Sequence, residues 1–148
     1  FDQIVSFSNQ NVTYEAVLEN LNVLDYDYYF KVIAAALDEK IADNLLIFNE
    51  ILAKGFDGSQ FILGLSEHLR NLLVCKDQAT LELIEVPTEI KELYFQQSKV
   101  SSQAFIVLAL DLLRDTDIHY RASKNKRLSI EIALMKLCSI QALLKTKQ

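Results

Sequence analysis

At 148 residues the chain is about one domain long, enough to build a core without metals or disulfides. Three Gly and one Pro leave few places for tight turns, which excludes hairpin-rich folds and favours long helices joined by short connections. The net charge of −5 is uneven: from Arg121 onward seven basic residues face one acid, giving +6, so the first 120 residues carry −11 and make a poor partner for a phosphate backbone.

Taken in chain order, Phe1, Ile4, Val5 and Phe7 form the tail of a helix that stops at the polar cluster Ser8-Asn9-Gln10-Asn11. The sequence lacks an initiator Met and is helical in pattern from its first residue, so we expect a piece cut from a longer protein. Thr13 caps a short helix bearing Val17, Leu18 and Leu21. These helices are too short to form a core alone, and a domain boundary is expected between Leu21 and Asp27, dividing residues 1–24 from 25–148. Asp25 and Asp27 offer acidic caps to a helix with Tyr29, Phe30, Ile33 and Leu37 on one side. Tyr26, Tyr28 and Tyr29 are expected at a half-buried seam rather than at a ligand.

Ile41, Leu45, Phe48 and Leu52, spaced four, three and four, predict the apolar face of the next helix, and Gly55 closes it by taking positive φ. Asp57 or Ser59 caps a helix with the stripe Phe61, Ile62, Leu65, Leu69, Leu72 and Leu73, with Glu67 and Asn71 beside Arg70 on its polar side. The stretch 78–86 predicts no more than a weak helical turn. Pro87 fits the first helical position of a segment whose apolar side is Ile90, Leu93 and Tyr94. Ser101 or Ser102 caps a longer helix with Phe105, Ile106, Ala109, Leu112 and Leu113.

After the basic turn Ala122-Ser123-Lys124-Asn125 the last helix is apolar nearly all round: Leu128, Ile130, Ile132, Leu134, Met135, Leu137, Ile140 and Leu143. A helix without a clean polar face is buried on several sides, which places it at the centre of the bundle or in an oligomer interface. Near its start, Arg127 and Glu131 stand four apart: an intrahelical pair if exposed, a far more consequential one if desolvated against a neighbour.

The sequence holds no Gly-rich loop or GK[ST] phosphate cradle, and neither Cys75 nor Cys138 sits in a nucleophile signature with a His. Cys75 and Cys138 are expected as small hydrophobes in a reduced cytosol, and His68 and His119 have no metal-ligand spacing. The acidic groups Asp38-Glu39, Asp25/Asp27 and Asp115/Asp117 lie at helix ends, where capping and solvation account for them. No catalytic, cofactor-binding or metal residue is therefore expected. No apolar run reaches the ~20 residues that span a bilayer, and Phe1-Asp2-Gln3-Ile4 is unlike a signal peptide. A cytoplasmic, all-α bundle of about five or six helices is the expectation.

Three stretches resemble the gamma/tau subunits of bacterial DNA polymerase III, the AAA+ clamp loader. Asp2-Gln3-Ile4 with Phe7, Val12-Thr13, Val17, Leu21, Asp27 and Phe30 resembles the end of the family's lid domain. Glu67-His68-Leu69-Arg70-Asn71-Leu72-Leu73 and the close from Asn125 to Cys138 resemble its third domain, in family order and spacing. Asn22 stands where the family often has Gly, and Phe1 where Leu is usual. The resemblance implies a short remnant of the lid followed by a helical collar that holds loader subunits together for sliding-clamp loading in DNA replication. It also implies that the ATP- and Mg-binding domain lies upstream and the tau-specific regions downstream, so that this piece has no cofactor of its own. Its partners would be other gamma/tau copies, delta and delta prime, in a homo- or hetero-oligomer without strong nucleic-acid or membrane binding. Arg70, Asn125, Arg127 and Glu131 are the residues expected to contact or brace a subunit interface. Two rival classes remain beside it: an unrelated helical adaptor that takes a partner helix in a groove, and a small helical enzyme or ligand carrier, for which the sequence supplies no set of convergent polar groups.

Overall fold

The computed structural model describes residues 26–146, and the helices expected before Tyr26, with the proposed boundary at 24/25, lie outside them. Among the described residues there are seven helices and no strand: α1 Tyr26–Leu37, α2 Ile41–Ala53, α3 Gly58–Val74, α4 Gln78–Leu81, α5 Thr88–Val100, α6 Gln103–Tyr120 and α7 Lys126–Thr146. The all-α bundle is as expected, with α4 the single weak turn foreseen between its longer neighbours. None of these helices is long and apolar enough to cross a membrane.

Local signals set the element ends. Gly55 closes α2 at φ 95°, a conformation that costs glycine least. Asp57, not Ser59, caps α3: its Oδ1 accepts the Gln60 N–H at 2.8 Å while Gln60 Oε1 accepts the Asp57 N–H at 3.1 Å, a reciprocal capping box. Ser102, not Ser101, caps α6 by accepting the Phe105 N–H at 3.0 Å. Pro87 sits one residue earlier than expected, extended at ψ 151°, and the helical residues begin at Thr88.

α3 buries the stripe read from the sequence, with Phe61, Ile62, Leu65, Leu69 and Leu72 fully enclosed and Leu73 half-buried. It packs against α1, α5, α6 and α7, and Phe61 stacks on Tyr29 at 6.2 Å and meets Phe48 at 5.3 Å between ring centroids. Tyr28 and Tyr29 are more deeply buried than a half-buried seam implies, and only Tyr26 is intermediate.

Two faces differ from expectation. On α2 the buried residues are Asn44, Phe48 and Ile51, with Leu45 and Leu52 half-buried and Ile41 exposed. Asn44 turns inward because its Nδ2 donates to Cys138 Sγ at 3.0 Å, giving a polar side chain a reason to enter the core. On α5 Leu93 is exposed and Ser98 is buried in its stead. Ser98 Oγ donates to the Leu72 carbonyl at 2.9 Å, and Lys76 Nζ donates to the Ser98 carbonyl at 2.7 Å, tying α5 to the end of α3.

α7 occupies the centre, packed against α1, α2, α3 and α6. Three polar contacts fix it antiparallel to α2: Arg127 to Asn49, Cys138 to Asn44, and Lys145 to Glu39 at the α1–α2 turn.

Candidate functional site

Three of the four residues singled out from the sequence meet at the start of α7. Asn125 is its N-cap, accepting the Leu128 N–H on Oδ1 at 3.0 Å, which satisfies one of the donors a helix start leaves unpaired. Arg127 Nε donates to Glu131 Oε2 at 3.2 Å, and its second arm donates to Asn49 Oδ1 on α2 at 3.1 Å. The side chains of Arg127 and Glu131 are 51% and 24% exposed, so the pair is neither fully solvated nor desolvated: it is a surface brace between α7 and α2. Lys126 completes the turn, its Nζ donating to the Tyr120 and Arg121 carbonyls at 3.1 and 3.0 Å. A cation there offsets the negative end of the α6 dipole.

Beyond this brace α7 has two faces. Ile130, Ala133, Leu134, Leu137, Cys138 and Ile140 are buried in the bundle. Leu128, Ile132, Met135 and Leu143 point outward at 44%, 41%, 37% and 58% exposure, and at spacings of four, three and eight they share one side of the helix. α6 also keeps Val107, Leu108 and Ile118 exposed. The apolar surplus in the last helix thus divides between the core and a surface stripe.

Arg70 stands apart. It is exposed on α3 and lines an open groove of about 530 Å³ to which α7 contributes no residue. Asn71, expected beside it on the polar side, is buried instead, as is His68. The His68 Nε2 lies 2.7 Å from Gln97 Oε1, and Gln97 Nε2 donates to the Phe30 carbonyl at 3.0 Å. That donation leaves Gln97 Oε1 as acceptor and so assigns the His68 proton to Nε2. Phe30 and Tyr94 pack on the ring at 4.5 and 5.0 Å, and burial pushes the imidazole down to about 4 against the hydrogen bond from Gln97, so it is neutral. His68 Nδ1 and Asn71 Oδ1 are both buried acceptors without a partner. Such a group costs about 1–3 kcal/mol when left unpaired. The sequence signal for His68 was available: Phe61, Leu65, His68 and Leu72 repeat at four, three and four, so an inward histidine follows from the helical period.

An all-helical bundle with a braced final helix, an outward apolar stripe and this order of motifs is what the resemblance implied. Residues 12–148 match the family model described as DNA polymerase III subunits gamma and tau domain III. The chain belongs to this family. It is also 23% identical over 137 residues to DNA polymerase III subunit tau of Bacillus subtilis (strain 168), an alignment covering 93% of this chain and 24% of that protein. The chain thus spans about a quarter of the length of the curated relative it matches. The match to the gamma and tau domain III family takes in all seven helices, the brace and the groove.

Proposed function

We propose that this chain is a non-catalytic collar module that holds clamp-loader subunits together during sliding-clamp loading. The outward stripe of Leu128, Ile132, Met135 and Leu143 carries the reading, because a helix this central has no folding reason to keep a second apolar face in water. Covering those side chains against a neighbouring subunit would remove apolar area worth about 25 cal/mol per Å². Asn125, Arg127 and Glu131 then act as bracing residues that hold the stripe at a fixed angle to α2. The charge division suits a head-to-tail contact, in which two different patches meet rather than one self-complementary patch. Other gamma/tau copies, delta and delta prime are the partners, in the cytoplasm.

Sedimentation equilibrium of the chain alone and mixed with the other loader subunits tests the reading. The chain should associate, and Ile132→Asp should abolish association while the helical circular dichroism and melting temperature stay close to those of the parent, since Ile132 is exposed. A chain that neither self-associates nor binds those subunits, or an Ile132→Asp variant that assembles normally, overturns it. The same reading gives this module no ATP site, so calorimetry with ATP and Mg²⁺ should register no binding.

A further inference from the structure

We propose that the groove between α1, α3 and the stretch 83–86 is a docking socket for an arginine side chain carried by a partner polypeptide. This goes beyond the collar reading, whose observations lie on α7.

The floor asks for hydrogen-bond donors. His68 Nδ1 and Asn71 Oδ1 both line the groove, both are acceptors, and both lack a partner. The other edge of the His68 ring is occupied by Gln97, which is not part of the lining, so the bonded nitrogen faces away from the groove and the free one remains toward it. A guanidinium carries donors in a planar fork and meets two acceptors at once, which a single ammonium does less well.

The walls and rim favour a cation. Tyr29 and Tyr94 present ring faces, which attract positive charge. Burial first, and the charge of Glu67 second, raise the Tyr29 phenol; at Tyr94, pushed up to about 12 chiefly by burial, Glu67 adds to the rise. The Glu67 carboxylate therefore sets a negative potential over the groove. Glu85 adds a second carboxylate, and Arg70 opposes them, leaving the lining at −1. Glu67 and Arg70 form no ion pair among the described residues, so each is available to an incoming chain.

The lips decide between a small cation and a polypeptide. Leu63 and Leu83 stand on either side of the lining at 63% and 62% exposure. A free polyamine would satisfy the acceptors and leave these two side chains in water. A polypeptide with an arginine between apolar residues covers all of them together.

The experiment uses the whole chain with ¹⁵N-labelled histidine, titrated with the acetylated, amidated tripeptides Leu-Arg-Leu and Leu-Asp-Leu and with spermidine. Leu-Arg-Leu should move the His68 Nδ1 resonance upfield and saturably, as a nitrogen lone pair gains a donor. Glu67→Gln should weaken that binding by roughly threefold, in the range of an exposed ion pair, and Arg70→Ala should tighten it by removing the opposing charge. Both positions are exposed, so neither variant disturbs the core. An Nδ1 resonance that stays fixed up to the solubility limit means that solvent alone serves the acceptors, and the proposal fails. Equal binding of Leu-Asp-Leu would show an anion site at Arg70 and overturn it. Spermidine binding as tightly as the arginine peptide would overturn the assignment to a polypeptide.

Discussion

At the scale of single residues, His68 makes the sharpest claim. Its imidazole is buried and neutral when the chain is folded, with burial lowering it from 6.5 to about 4. Between those two pH values the unfolded chain binds a proton that the folded chain does not, so stability rises with pH across the window. The contribution is complete above 6.5 and is lost as pH falls toward 4, amounting to about 3 kcal/mol at roughly 1.4 kcal/mol per unit. Urea midpoints of the parent and of His68→Gln, compared at steps from pH 7 to pH 4, should therefore converge as the medium becomes acid. Parallel curves would show that His68 titrates as an exposed histidine does. Gly64 gives a second test. A Cβ there would fall on the Tyr29 hydroxyl, whose ring is held by Phe61 and cannot swing aside cheaply. Gly64→Ala should gain helix propensity yet cost about 1–2 kcal/mol net through overpacking, read as a lower melting temperature. A rise in melting temperature would mean that Tyr29 relaxes freely.

At the scale of elements, what the sequence made legible and what it hid have one physical cause. The α3 stripe was readable because every inward position in it except one is apolar, so period and burial coincide. The face of α2 was misplaced because Asn44 takes an inward position and Ile41 an outward one, and only the thiol of Cys138, far along the chain, makes that sensible. Leu93 and Ser98 on α5 exchange roles for the same reason: the partners are backbone carbonyls on other elements, invisible to local pattern. The site was partly legible. The Arg127–Glu131 spacing was plain, but Asn49 as the third member comes from another helix, and no spacing rule reaches it. That geometry chooses between the two costs foreseen for Arg127. At half exposure the pair is mostly solvated, and Arg127→Ala should cost about 1 kcal/mol: the sum of a surface ion pair and one net hydrogen bond. A double-mutant cycle with Asn49→Ala should recover a coupling well below that total. A loss above ~3 kcal/mol would mean that Glu131 is stranded in a dry contact.

At the scale of the whole molecule, the fold gathers two resources that respond oppositely to salt. The chain carries +6 from Arg121 onward and −11 before it, while the outward side of α7 is apolar within the basic region. The acidic majority should keep the chain from binding duplex DNA tightly at physiological salt; submicromolar binding that weakens steeply with added salt would instead mark the basic end as a DNA surface. In a head-to-tail assembly, the basic end of one copy meets the acidic body of the next, and that attraction is screened as the Debye length falls from about 10 Å at 0.1 M to about 3 Å at 1 M. The apolar stripe is not screened, and sulfate strengthens it by exclusion from the protein surface. Association measured by sedimentation should therefore weaken as sodium chloride rises from low to physiological strength, then level off instead of vanishing, and recover when ammonium sulfate replaces the chloride. The plateau belongs to Leu128, Ile132, Met135 and Leu143, so Met135→Asp should remove it while leaving the salt-sensitive part in place. Association that falls to nothing by 1 M chloride would assign the contact to charge alone and leave the stripe without a role. Indifference to salt throughout would mean that the basic end faces solvent and that the two halves of the charge distribution never meet.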